Sequence, residues 1–336
     1  MAGRFIRLLP PLRRLVQGGF LLFSFFIGFR FYQFFQWAVA DGDYTPRPPA
    51  VEAFLPIGAL VSLKQFILTR QYDPVHPAGL TIFIAALLLA FFFRKGFCGW
   101  ICPVGCASEL LHSSSRRSIG ALGRNAGSLP LRLPPWLDKP LSLLKYLLLG
   151  FFLYLILWQM DLTALENFSR SPYNLTVDGR MLLFFLHPSQ LALIIMLALM
   201  ILSAVLRNFW CRHLCPYGAL LGLLALAGPL QVMRDKEKCI DCKKCEKSCP
   251  AALVITDKNR LTVPECIGCL ECVARCPQDD CLTLTVYGRK KITPFLLPGG
   301  LLALFFAIWL AAISSGHWQT SVPDEVLKHL YRKIAG

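Results

Sequence analysis

Two cysteine runs in the C-terminal half have the spacing of cluster ligands. From Cys239 the chain reads C-I-D-C-K-K-C-E-K-S-C-P, and from Cys266 it reads C-I-G-C-L-E-C-V-A-R-C-P. In a C-x2-C-x2-C-x3-C-P run, three close thiolates hold three irons of one cubane and the fourth thiolate reaches the neighbouring one. The expected ligand sets are therefore Cys239, Cys242, Cys245 and Cys276 for one [4Fe–4S] cluster, and Cys266, Cys269, Cys272 and Cys249 for the other. A zinc site needs only four ligands and would leave the third and fourth cysteines of each run without a role. Cluster potentials span about −700 to +450 mV with surroundings, so spacing alone does not set the direction of electron flow.

A second motif occurs twice at longer range: Cys98-Gly-Trp-Ile-Cys102-Pro103 and Cys211-Arg-His-Leu-Cys215-Pro216. At i, i+4 on a helix end, both sulfurs of a pair face one side. Four converging thiols could bind a third iron–sulfur cluster or another soft metal, or work as two redox dithiols; buried packing is the bland alternative. His213 lies inside the second motif, where it could donate a hydrogen bond to a sulfur. Cys106 and Cys281 are left over and read as structural. Arg30 falls in an apolar stretch, where a charge is costly unless it pairs or faces a cavity, which makes it a candidate cofactor or quinone contact. His76 and His187, each followed by proline, could ligate haem or take a quinol proton, although no C-x-x-C-H haem attachment sequence exists.

The chain that must position these groups is 336 residues long, 55% hydrophobic and formally +15, with a mean hydropathy of +0.52. That is too apolar for a soluble globular protein. Five stretches approach the roughly 20 apolar residues needed to span a bilayer: about 19–40, 78–98, 141–160, 189–210 and 293–314. Shorter ones, near 53–68 and 217–230, read as interfacial or re-entrant. Lys and Arg concentrate before the first span (Arg4, Arg7, Arg13, Arg14), after the second (including Arg94, Lys95, Arg124, Arg132) and over 207–291, whereas 41–77 and 161–188 are richer in acids such as Asp41, Glu52 and Asp178. By the positive-inside rule this places the N-terminus and the cysteine runs in the cytoplasm and the C-terminus in the periplasm of a bacterial inner membrane, with the first span retained and not cleaved after Ala40. The cytoplasm also suits thiolate ligands, which need reducing conditions.

The expected fold is a mainly α membrane protein of about five transmembrane helices with an inserted α+β, bacterial-type two-cluster ferredoxin domain. Residues 1–233 would hold spans one to four with the C-x3-C-P motifs, 234–290 the ferredoxin-like domain, and 291–336 the last span and a short periplasmic tail. A hairpin is expected from Leu253–Ile255 and Leu261–Val263. Trp37, Trp100, Trp158, Trp210 and Trp309 suit an aromatic belt. An amphipathic helix after Ser321 suits a partner or the membrane surface. The basic residues carry no nucleic-acid-binding motif, so a nucleic-acid partner is not expected.

Over roughly residues 19–314 the chain resembles the membrane-bound polyferredoxins of the NapH/NosR type, which share paired C-x3-C-P motifs followed by a two-cluster segment. Arg30, Leu55-Pro56-Ile57-Gly58 and His76-Pro77 extend the likeness less specifically. The resemblance implies an electron-transfer subunit of an oxidoreductase system, linking cytoplasmic or quinone-pool donors to a periplasmic flavoprotein, cytochrome or reductase. Quinone, haem or flavin would enter only through partners, because NosR-like proteins carry a flavin-binding domain where this chain has only about 18 residues. The competing function is a maturation factor that reduces or passes a metal through the C-x3-C-P thiols; a redox sensor is a third. No nucleophile–base pair or phosphate-binding loop points to bond-making catalysis.

Overall fold

A computed structural model describes residues 5–40, 42–121 and 133–335. Arg4, Asp41, Arg124 and Arg132, which enter the charge argument, lie outside the described residues. The protein is mostly helical, with few strands. Helices open on proline at Pro56–Thr69, Pro77–Phe92, Pro103–Ala121, Pro135–Leu153 and Pro216–Leu226. Proline suits that position because its fixed φ is helical and its missing N–H would be unpaired there anyway.

Among the described residues, three helices are long and apolar enough to cross a membrane: Leu9–Ala40, Trp136–Gln159 and Leu296–Ser314. A fourth results if Val177–Leu186 and Gln190–Val205, bent by 80°, form one broken span. Pro188 sits at that bend and disfavours helix at His187 before it. Pro77–Phe92, inside the second expected span, is apolar but only 16 residues long. The two stretches read as interfacial form helices of 14 and 11 residues, Pro56–Thr69 and Pro216–Leu226.

The chain divides into two compact units. One contains residues 1–21, 86–149 and 196–304; the other contains 22–85, 150–195 and 305–336. The first unit holds every cysteine and a four-stranded antiparallel sheet in the order β2-β1-β3-β4, from β1 (Leu230–Arg234), β2 (Arg260–Leu261), β3 (Leu282–Val286) and β4 (Lys290–Lys291). Val232 pairs with Leu261 on one side and Leu284 on the other, and all three are buried. The expected hairpin does not form. Residues 253–255 stay out of the sheet because the backbone N–H groups of Ile255 and Thr256 both donate to Glu246 Oε1, at 2.9 Å each, leaving Leu261 to pair with β1.

The second unit is built on an aromatic core of Phe31, Phe34, Phe35 and Trp37 with Leu327 and Tyr331 from the helix Asp324–Ala335. The tail helix therefore docks on its own chain. Tyr331 meets Phe34 edge-on at 5.8 Å, donates to Asp178 Oδ1 at 2.6 Å, and is followed by Arg332, which donates to the Ala38 carbonyl. Trp37 and Trp100 are buried, unlike Trp158 at 81% exposure, so the first two leave the proposed aromatic belt.

Candidate iron–sulfur centres

Two cavities in the first unit gather the cysteines of the duplicated runs. One is lined by Cys239, Cys242, Cys245 and Cys276, with Cys281, Ile240, Thr256 and Leu282 among its other walls. The other is lined by Cys249, Cys266, Cys269 and Cys272, with Val232, Leu253, Ile255 and Leu261. Three thiols of one run and the fourth of the other thus share each cavity. Positive φ at Asp241, Lys243, Gly268 and Leu270 bends each run tightly around its space, and one-turn helices, Lys244–Ser248 and Glu271–Ala274, carry the chain on towards Cys249 and Cys276. Burial pushes the Cys245 thiol up to about 11 and the Cys269 thiol up to about 12. A group that binds them as thiolates must displace those protons. Soft sulfur donors in apolar walls fit an iron–sulfur cluster. Among the described residues, no three His, Cys, Asp or Glu side chains close on a single metal ion.

The C-x3-C-P motifs take one shared local form. Phe97–Ile101 and Trp210–Leu214 are π-helical turns, closed by the N–H of Cys102 onto the Phe97 carbonyl at 2.9 Å and of Cys215 onto the Trp210 carbonyl at 3.0 Å. The ordinary α-helical spacing assumed from sequence is replaced because each second cysteine precedes proline, which favours extended backbone there. Each second sulfur then caps the next helix: Cys215 Sγ accepts from Gly218 N at 3.2 Å, and Cys102 accepts from the backbone of Val104 and Gly105. All four thiols fall within electrostatic range of one another and of Lys95, which is only 3% exposed. Four thiols, two helix N-termini and a buried ammonium fit an anionic sulfur-ligated group.

The same motifs hold the second cavity by direct contact. A Cβ on Gly99 would lie 2.3 Å from the Ile267 carbonyl oxygen, so only glycine admits that approach. Trp100 Nε1 donates to the Gly268 carbonyl at 3.1 Å. Arg13, 1% exposed, donates to the Gly99 carbonyl at 2.9 Å and pairs with Glu109 at 2.6 Å and Glu271 at 3.3 Å. Just ahead of the second motif, Arg207 donates to the Cys249 carbonyl at 3.2 Å and Asn208 to the Pro250 carbonyl at 3.2 Å. Arg13, Lys95 and Glu271 escaped the sequence reading, since the first two look like ordinary flanking charges.

The remaining sequence candidates separate. His213 is fully buried with Nε2 on Asp138 Oδ1 at 3.0 Å and Nδ1 facing the Phe209 carbonyl at 3.2 Å, so both ring nitrogens meet oxygen. Arg212 grips the same Asp138 at 2.9 Å. Arg30 bonds Gln33, one turn along its own helix, at 3.3 Å. In the second unit His76 is buried, with Nε2 2.8 Å from the Asn174 carbonyl and Nδ1 3.4 Å from Glu52, whose carboxylate also binds Arg47. Burial opposes charge on His76, but Glu52 outweighs it and holds the imidazole above its ordinary pKa. His187 is exposed at the end of Val177–Leu186. The structure does not draw His76 and His187 into one site.

Comparison with known proteins agrees with this geometry. A 4Fe-4S binding domain family matches residues 75–121 and 189–234, covering both C-x3-C-P motifs, and a 4Fe-4S dicluster domain family matches 231–277. YccM of Escherichia coli (strain K12), whose name describes a proposed electron transport protein, is 37% identical over 323 residues, 94% of this chain and 85% of that one. The ferredoxin-type protein NapH of Haemophilus influenzae is 28% identical over 221 residues, 60% of this chain and 67% of that one. The regulatory protein NosR of Pseudomonas aeruginosa is 29% identical over 233 residues, 65% of this chain but 28% of that one. No solved structure matches. The chain therefore belongs to the membrane polyferredoxins of the NapH/NosR type, iron–sulfur proteins of electron transfer.

Proposed function

We propose that the protein is a relay subunit in a bacterial inner membrane, passing electrons between a cytoplasmic or quinone-pool donor and a periplasmic redox partner. In this reading five spans cross the bilayer, the N-terminus and residues 234–290 face the cytoplasm, and the tail 315–336 faces the periplasm. Cys239, Cys242, Cys245 and Cys276 hold one [4Fe–4S] cluster; Cys266, Cys269, Cys272 and Cys249 hold a second; Cys98, Cys102, Cys211 and Cys215 hold a third. The clusters, when bound, supply one-electron transfer. The chain's own part is to fix their order and exclude water between them.

The observation that carries the order is the contact of Gly99 and Trp100 with Ile267 and Gly268. These residues sit between Cys98 and Cys102 and between Cys266 and Cys269, so the second cavity abuts the C-x3-C-P site. The first cavity has the more open rim, with Cys242 exposed and Ile240 60% exposed. The line runs from the Cys239 side, through the Cys266 side, to the four membrane-proximal thiols. All three centres lie on one side of a barrier about 30 Å thick, so the far face must be reached by a further carrier. A quinone, or the haem or flavin of a partner, fills that place.

The test is anaerobic purification of the full chain in detergent, with iron, sulfide and the EPR of the reduced protein measured in wild type and with Cys98, Cys102, Cys211 and Cys215 all changed to Ala. About twelve irons falling to about eight is the expected result. About eight in both removes the third centre and the relay order with it.

A further inference from the structure

The two cavities are unequal in one respect. The second is lined by four cysteines, whereas the first has a fifth, Cys281. Its thiol is 2% exposed, shares the cavity wall with Cys276 and Cys239, and donates to the Asp235 carbonyl at 3.6 Å. The placement is built in. The Cys281 carbonyl accepts from the Asp235 N–H at 2.8 Å, and β3 begins at the next residue, with Leu282 registered against Arg234. The chain from Pro277 to Asp280 is exposed, so Cys276 and Cys281 are joined by a short surface loop while both sulfurs turn inward. The spare thiol also lies at the more open cavity, where a ligand sulfur is most readily oxidised.

We propose that Cys281 is a reserve ligand of the cluster on the Cys239 side, able to take over the iron held by Cys276. The inference rests on the ligand sets proposed above. In the exchange the Cys276 sulfur–iron bond breaks, a Cys281 sulfur–iron bond forms, and the proton of the Cys281 thiol passes to the departing Cys276 thiolate. No electron moves, and no outside reagent is required.

The full-length protein is purified anaerobically as wild type and with Cys276→Ala, Cys281→Ala, both together, and Cys249→Ala as the matched change at the four-cysteine cavity. Iron and sulfide per chain and the EPR of the reduced protein are read for each. Cys281→Ala keeps the wild-type iron. Cys276→Ala also keeps it, with an altered EPR line shape, while the double variant and Cys249→Ala each lose about four irons. Loss of about four irons, or of all iron, in Cys276→Ala overturns the reserve-ligand proposal. Retention of all iron in both Cys249→Ala and the double variant overturns the ligand sets themselves, and the proposal with them.

Discussion

Replacing Arg13 with Met removes one buried cation from three acceptors at once. Its guanidinium holds Glu109 at 2.6 Å, Glu271 at 3.3 Å and the Gly99 carbonyl at 2.9 Å, and it is 1% exposed, so solvent screens little of this. Glu109 keeps Arg207 at 3.5 Å and is 21% exposed, whereas Glu271 is 8% exposed and loses its ion-pair partner. Breaking a buried pair from one side costs about 3–5 kcal/mol, and the surviving Arg207 places this case near the lower end. About 3 kcal/mol is a more than hundredfold change in the unfolding equilibrium. The assay is denaturant unfolding of the cluster-loaded protein in detergent, followed by loss of iron–sulfur absorbance. Adding Glu271→Gln to the variant neutralises the stranded charge and recovers much of the loss, as a double-mutant cycle will report. A loss under about 1 kcal/mol for Arg13→Met, or a double variant no better than the single one, refutes the clamp.

Two further outcomes follow from the second unit. The folded pKa of His76 lies above the ordinary value of about 6.5, so its stabilisation is complete below about pH 6.5 and is lost as pH rises through the folded value. Wild type minus His76→Gln stability, measured by melting across pH 6 to 9, should decline with pH; a rising difference contradicts the Glu52 pairing. Tyr331→Phe removes a 2.6 Å bond to a buried carboxylate and should cost about 1.5–3 kcal/mol. Limited proteolysis after Asp324 should quicken in that variant, and an unchanged rate removes the tail helix as a docked element.

The eight cysteines of the duplicated runs were legible because cluster ligation demands fixed local spacing, whereas Cys281, which also lines the first cavity, read as structural. Both C-x3-C-P pairs were equally visible, but their π-helical form was not, since it arises from proline stopping the helix one residue later. Arg13 reads as a positive-inside charge in the sequence; only the fold shows that Gly99, Glu109 and Glu271, from three distant segments, converge on it. The hairpin failed for a similar reason. Apolar residues do stand at 253–255, 261 and 263, but Glu246, on a one-turn helix, captures the donors that a strand would have used. Span length was the least legible: hydropathy reads 78–98 and 189–210 as full spans, whereas the helices there, Pro77–Phe92 and Gln190–Val205, run only 16 residues each.

The close seating of Gly99 on Ile267 bears on how this chain can be taken apart. Residues 234–290 look excisable as a small soluble ferredoxin, but without the rest of the chain the Gly268 carbonyl loses the Trp100 indole and the Cys249 carbonyl loses Arg207. Leu230 and Val232, in the strand shared by β2 and β3, would be cut away with the N-terminal side, leaving the sheet without its middle. A soluble fragment should therefore begin before Leu230, and even then would present a raw, apolar scar where the membrane part had been.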